Sequence, residues 1–266
     1  MRDQTSVRSE VTRLSTNVAP HSNSDSLAVE EPLEIRVRGQ AVAVTMRTPG
    51  HDEELAAGFL LTEGILKRRA DVIEIAHCRS APEAALSGNI LNVFLASDLE
   101  FDFERLTRHV FSASSCGLCG KASIDTVHQQ FAPVEKPLEI PLDALLTLPT
   151  KLRAAQKTFD ATGGLHAAGL FTVAGELIVA REDIGRHNAV DKVLGHAFFE
   201  DKMPLSDHIL MVSGRASFEI MQKALAARIR AVAAVSAPSS LAVEFARDSK
   251  QSLYGFVREN SANRYA

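Results

Sequence analysis

The feature that most constrains this chain is the regular alternation of two periodicities in its second half. Strand-like apolar runs fall at 168–173, 177–180, 209–212, 231–235 and 253–257. Between the later ones lie helix-like runs at 188–199, 217–229 and 239–249. Strands alternating with helices of this length predict a mostly parallel sheet with helices on both faces. Only Ala174-Gly175-Glu176 separates the first two runs, so that pair is antiparallel and the sheet is mixed. The expected class is α/β. Neither a GxGxxG nor a Walker A motif is present, which removes the usual nicotinamide and P-loop readings.

The first half reads differently. A length of 266 residues leaves room for one large or two small domains. Residues 1–28 are rich in Ser and Thr and poor in large apolar side chains, which predicts a mobile tail. Residues 29–110 read as a small α+β domain. Leu33, Ile35 and Val37 alternate with polar residues, and so do Val42, Val44 and Met46, around a turn at Arg38-Gly39-Gln40. After a break at Thr48-Pro49-Gly50, Asp52, Glu53 and Glu54 open a helix over 55–61, where acidic side chains suit the helix dipole. Strands follow at 72–76 and 90–95. The second domain spans 111–266. It starts with a run of small residues at 111–120 and a helical stretch at 121–131. Beyond a Pro-marked linker, a further helical stretch is interrupted at Pro149 and resumes over 150–159.

Composition narrows the function. Apolar residues make up 45% and charged residues 23%, a globular balance that excludes wholesale disorder. No apolar run is long enough to span a bilayer, so no membrane role is expected. A net charge of −4 argues against a general nucleic-acid binder. The three cysteines, Cys78, Cys116 and Cys119, are an odd number, and the first residues lack a secretory apolar core. The expected location is cytoplasmic, and Cys78 reads as a small apolar residue at a strand end.

Five segments carry potential chemistry. Ser114-Ser115-Cys116-Gly117-Leu118-Cys119-Gly120-Lys121 places two thiols ahead of a helix start and beside a lysine, which favours the thiolate. Such a pair can cycle a disulfide, bind a metal or carry sulfur as a persulfide. Asp183-Ile184-Gly185-Arg186-His187-Asn188 and Ser213-Gly214-Arg215-Ala216-Ser217 each join a strand to a helix. Gly at such a junction admits an anion to the helix N-terminus, and Arg186 and Arg215 add donors suited to phosphate. Thr162-Gly163-Gly164-Leu165-His166 offers close backbone approach and an imidazole. The last strand ends in Gly255-Phe256-Val257-Arg258-Glu259-Asn260-Ser261, at the edge where a ligand would sit.

Taken in order, EEPLEIRV, TPGHDEELAAGFLLTEGI, SSCGLCG, TGGLHAAGLF, REDIGRHNAVDKVLG, VSGRASFEIMQKA and LYGFVRE resemble the formate dehydrogenase accessory sulfurtransferase family (FdhD) from about residue 30 to the end. The resemblance implies a cytidine deaminase-like, three-layer mixed-sheet domain with a smaller N-terminal α+β domain, usually as a homodimer. It implies a sulfurtransferase that receives sulfur from a cysteine desulfurase as a persulfide. The acceptor is a molybdenum bis(molybdopterin guanine dinucleotide) cofactor, held as a client before it enters formate dehydrogenase, with no tightly held metal of the protein's own. The persulfide position matches Cys116 and an accessory position matches Cys119. The family's cofactor-binding stretch matches Gly255 to Ser261. Gly163, Gly164, His166, Gly185, Arg186, Gly214 and Arg215 complete the expected cofactor-binding set.

Three rivals come from other classes. A zinc deaminase needs H-x-E and P-C-x-x-C; His51-Asp52-Glu53 and Cys116-Gly117-Leu118-Cys119 approach this, but Ser115 replaces the proline. A cofactor chaperone would bind the client without moving sulfur. A thioredoxin-like oxidoreductase would place its Cys pair after the first strand of a βαβ unit.

Overall fold

In the computed structural model, residues 4–78, 88–100, 125 and 127–266 are described. Cys116, Cys119 and residues 121–124 and 126 of the helical stretch at 121–131 lie outside them. The N-terminal part holds Ser6–Arg13 (β1), His21–Ala28 (β2), Glu31–Val37 (β3), Gln40–Arg47 (β4), Asp52–Thr62 (α1), Val72–His77 (β5) and Ile90–Leu95 (β6). The remainder holds Leu142–Ala154 (α2), Lys157–Thr162 (α3), His166–Thr172 (β7), Leu177–Asp183 (β8), Arg186–Phe199 (α4), His208–Val212 (β9), Phe218–Ala226 (α5), Ala231–Ala234 (β10), Ser240–Asp248 (α6), Ser252–Gly255 (β11) and Asn263–Arg264 (β12).

The predicted mixed sheet is present. Its order is β12-β11-β10-β9-β7-β8. β9, β10 and β11 run parallel, while β7 is antiparallel to both β8 and β9. Side chains alternate across it with the period of a strand. Leu210, Val212, Val232 and Ala234 face one core with the helices α4, α5 and α6. Ile209, Met211, Ala231 and Ala233 face the other, against Leu145, Leu148 and Leu152 of α2. The N-terminal strands form a second sheet, β4-β3-β6-β5, whose Leu33, Ile35, Leu91 and Val93 join the first core.

The joint between the two parts is a helix crossing. A Cβ on Gly58 of α1 would lie 1.8 Å from the Asp191 carbonyl oxygen, and one on Gly195 of α4 would lie 1.8 Å from that of Glu54. The two backbones touch through reciprocal glycines. Ion pairs lock the crossing. Lys223 Nζ meets Asp191 Oδ1 at 2.9 Å, and Arg181 Nη2 donates to Glu54 Oε1 at 2.7 Å. Fully buried Asp183 pairs with Lys192 at 2.7 Å, and Lys192 also donates to the Thr48 carbonyl at 2.8 Å. Removing one partner of such a pair strands a buried charge, at a cost of about 3–5 kcal/mol.

Two expectations are corrected. Residues 6–28 form a regular hairpin rather than a mobile tail, in register from Ser6↔Ala28 to Arg13↔His21. Backbone pairing substitutes for the missing apolar core, and the hairpin docks on α3 where the Thr158 hydroxyl donates to Thr5 Oγ1 at 3.2 Å. Pro149 does not interrupt its helix; α2 runs through it and ends at Ala154. A helical proline loses a hydrogen bond and costs about 3 kcal/mol. Burying Leu145, Leu148 and Leu152 on one stripe of α2 outweighs that cost. Cys78 is half-buried, and its backbone N–H donates to the Ile90 carbonyl at 2.9 Å.

Candidate functional site

The parallel strands β9, β10 and β11 end on the same edge at which antiparallel β7 begins, so four loops meet there. In open α/β sheets this carboxyl edge is where ligands bind. A cleft of 1310 Å³ opens at it. Pockets for drug-sized molecules span roughly 300–1,000 Å³, so this one suits something larger.

Each wall has a local cause. α3 ends because Gly163 takes a left-handed conformation, φ 67°, and donates its N–H to the Phe159 carbonyl at 2.7 Å. The chain then runs through Gly164, buried Leu165 and exposed His166 into β7. Opposite, Ser213 Oγ accepts the Ala167 N–H at 2.9 Å. Next to it Gly214 approaches the His166 ring so closely that a Cβ would lie 3.3 Å from Nδ1. Burial, and then the Arg186 charge, hold the His166 pKa below the ordinary histidine value, with Asp183 opposing. The ring is therefore neutral at pH 7 and able to accept or donate a hydrogen bond.

The C-terminal segment divides. Gly255 is buried against Pro238 and Tyr265. Phe256 is exposed in a left-handed conformation, φ 50°, and Val257 is fully buried in the α2-side core. Arg258, Glu259 and Asn260 line the cleft, while Ser261 closes the turn by accepting the Arg258 N–H at 2.8 Å. The Arg258 guanidinium is tethered to the Val235 and Val257 carbonyls. Glu259 Oε1 accepts the Thr150 hydroxyl at 2.9 Å.

The structure thus brings Gly163, Gly164, His166, Gly214, Arg258, Glu259 and Asn260 to one cleft. Gly185, Arg186, Arg215, Gly255, Phe256, Val257 and Ser261 are not among its lining residues. The reason is clearest in the 181–192 segment. Arg181, Asp183, Asn188, Asp191 and Lys192 are spent on bonds within the protein, several of them to the N-terminal part. Both carboxylate oxygens of Glu182 accept N–H groups of α3, from Thr158 at 2.9 Å and Phe159 at 2.7 Å. Arg215 is exposed, and the Arg186 Nε donates to His187 Nε2 at 3.4 Å.

Sequence reading missed the far wall. Arg153, at the end of α2, stacks its guanidinium 4.8 Å over the Phe159 ring and pairs with Asp160. The break at Gln156 folds α3 back and brings the three together. Their spacing across that break is the only signal, and it is not distinctive. The cleft's cations are therefore Arg153 and Arg258, beside the carboxylates of Asp160 and Glu259.

His187 lies near this edge, at the start of α4. Burial, then the charges of Lys223 and Arg186, lower its pKa to about 4, with Glu219 opposing. The unfolded chain takes a proton near pH 6.5 and the folded one only near 4. Stability from this residue is therefore complete above about pH 6.5 and is lost as pH falls toward 4. Ring-proton NMR titration is expected to give His187 a midpoint near 4, and His187→Gln to lose less stability than wild type on acidification through that range. A midpoint near 6.5 would contradict the packing described.

The metal-site rival gains nothing from the described residues. His51 is exposed with Nδ1 3.5 Å from Glu54 Oε2, and among the described residues no group of three or more His, Cys, Asp or Glu is placed to hold a metal ion. No helix among them is long and apolar enough to cross a membrane.

A mixed α/β sheet with a large, glycine-walled cleft at its carboxyl edge belongs to the class of folds that bind ligands at that edge. The chain belongs to the FdhD/NarQ family, whose profile matches residues 28–266. It is 51% identical over 265 residues to the sulfur carrier protein FdhD of Mycolicibacterium paratuberculosis, covering 98% of this chain and 97% of that one. It is 53% identical over 247 residues to the protein of the same name from Mycobacterium tuberculosis, covering 91% and 90%. Among solved structures, a putative formate dehydrogenase accessory protein from Desulfotalea psychrophila superposes with a TM-score of 0.76 at 22% identity, covering 98% and 96%. That likeness bears on the fold.

Proposed function

We propose that this protein is a sulfur carrier in the maturation of formate dehydrogenase. It takes sulfur from a cysteine desulfurase as a persulfide on Cys116 and passes it to a molybdenum bis(molybdopterin guanine dinucleotide) client held in the carboxyl-edge cleft. In the loading step the Cys116 thiolate attacks the terminal sulfur of the donor persulfide. The donor's S–S bond breaks, its thiolate leaves, and a new S–S bond forms on Cys116. Cys119 is the accessory thiol, and the working unit is a homodimer in the cytoplasm.

The observation that carries this reading is the cleft. It is large, and Gly163, Gly164 and Gly214 bare its backbone where a dinucleotide needs close approach. Arg153 and Arg258 supply the cations for pyrophosphate. The names of the relatives supply the chemistry.

Guanosine diphosphate tests the cleft. Isothermal titration calorimetry is expected to show binding to the wild type and a loss of about tenfold or more in Arg258→Ala, the scale of one charge-assisted contact. Arg215→Ala, outside the cleft, is expected to bind as wild type does. Equal binding by wild type and Arg258→Ala, with a loss in Arg215→Ala, would move the phosphate site to the 213–217 junction.

A further inference from the structure

The six-stranded sheet has a second cleft, of 540 Å³, at its opposite end. Met203 and Pro204 precede β9, and Ala226, Ala227 and Arg228 precede β10, so these walls lie at the amino ends of the strands that open into the first cleft. Strands of this length separate the two clefts by roughly 15–20 Å. The floor is apolar. Leu61 is 5% exposed, Leu66 1% and Ala227 1%, with Phe131 and Met203 packed on the core beside them.

The walls are held in place. Gln130 Nε2 donates to the Glu63 carbonyl at 2.6 Å and fills the space left by Gly64, where a Cβ would lie 1.9 Å from it. Arg228, in a left-handed conformation with φ 63°, donates to the Ala132 and Pro133 carbonyls. Among the described residues, the charged side chains lining the cleft are Lys67 and Arg228, with no carboxylate beside them. In a chain of net charge −4 this is a local reversal of sign. Lys67 is exposed and opens the basic run Lys67-Arg68-Arg69.

We propose that this amino-edge cleft docks a protein segment that carries carboxylates beside a large apolar side chain. Charge complementarity names the carboxylates, and the apolar floor names the anchor between them. Resting on the sulfur-carrier reading, the partner is the sulfur donor. The client occupies the other edge, so a donor bound here leaves that cleft open. Gln130 and Phe131, eleven and twelve residues after Cys119 in the sequence, form a wall of this cleft.

The test measures Cys116 persulfide loading by intact mass, with purified cysteine desulfurase and free cysteine as one sulfur source and inorganic polysulfide as the other. In Lys67→Glu the desulfurase concentration giving half-maximal loading is expected to rise about tenfold, the scale of a reversed interface charge. Lys67→Arg is expected to match wild type, and Met203→Gln, which keeps the side-chain length but adds polarity, to weaken loading in the same direction. Polysulfide loading is expected to be equal in all four proteins, which shows that the Cys116 thiol is reactive in each, and their urea-unfolding midpoints to be alike, which shows that each is folded. Unchanged desulfurase dependence in Lys67→Glu overturns the docking site. A wild type loaded by polysulfide but not by desulfurase also overturns it and leaves the carrier reading standing. A wild type loaded by neither source overturns both.

Discussion

Cys116→Ala is expected to take up no sulfur under conditions in which wild type gains one reducible sulfur atom from a cysteine desulfurase and free cysteine. It is also expected to leave formate dehydrogenase at background activity in a strain lacking its own copy. The effect should be near-complete because alanine offers no sulfur for the S–S bond and the proposed carrier thiol is Cys116 rather than Cys119 or Cys78. A serine or amide cannot hold sulfane sulfur, whereas a thiolate forms the S–S bond directly. The family resemblance assigns the persulfide to Cys116, and the sequence around the pair suits it, with Gly117 and Gly120 reducing steric cover and Lys121 favouring the thiolate of either cysteine. Cys119→Ala is expected to keep the sulfur gain, because loading consumes one thiol. Wild-type maturation by Cys116→Ala would establish a chaperone instead. A tightly bound zinc in native mass spectra would revive the deaminase reading.

The largest effect on stability is expected at the helix crossing. Gly195→Ala places a methyl 1.8 Å from the Glu54 carbonyl oxygen, and Gly58→Ala does the same against Asp191. Neither clash is with a movable side-chain tip, so α1 and α4 must separate. Helix propensity works the other way, since Ala is better than Gly in a helix by up to about 1 kcal/mol. Overpacking of a tight interior typically costs 1–3 kcal/mol or more, and here a backbone must shift, so about 3 kcal/mol of net loss is expected for either variant. Separation would also stretch Thr62–Asp191 and His196–Glu54, which join α1 to α4. Urea unfolding with an unchanged slope would read the loss directly. A loss below about 1 kcal/mol would show that the crossing is looser than the geometry states.

The helix crossing also shows why part of the site was misread. REDIGRHNAVDK looks like a ligand loop because it follows a strand, opens a helix and is dense in charge. Most of that charge is structural. Asp183, Lys192 and Asp191 are buried, and they join β8 and α4 to the Thr48 turn, α1 and α5. Sequence pattern cannot separate a charge kept for a ligand from one kept for a distant turn, because both need the same residue types. The opposite error occurred at Arg153 and Phe159. They fall within the helical stretch expected over 150–159, and a fold-back at Gln156 made them one wall of the cleft. Within Gly255 to Ser261 the side chains divide, since Val257 turns into the core while Arg258, Glu259 and Asn260 line the cleft.

The sequence by itself determined the local elements of 166–255, the mixed hand of their sheet and membership of the family, because periods of 2.0 and 3.6 residues and the order of motifs are carried by near neighbours. It also placed the glycines and His166 at a carboxyl edge, since strand order and direction put them there. Tertiary structure alone decided the rest. It made an ordered hairpin of a polar N-terminal segment and carried α2 through Pro149. It also divided the charged residues between the cleft, the amino-edge pocket and the buried pairs that tie α4 to β8 and α5. The physical reason is that each of those outcomes depends on a partner distant in sequence, and the free energy of burying or pairing a group exists only once that partner has arrived.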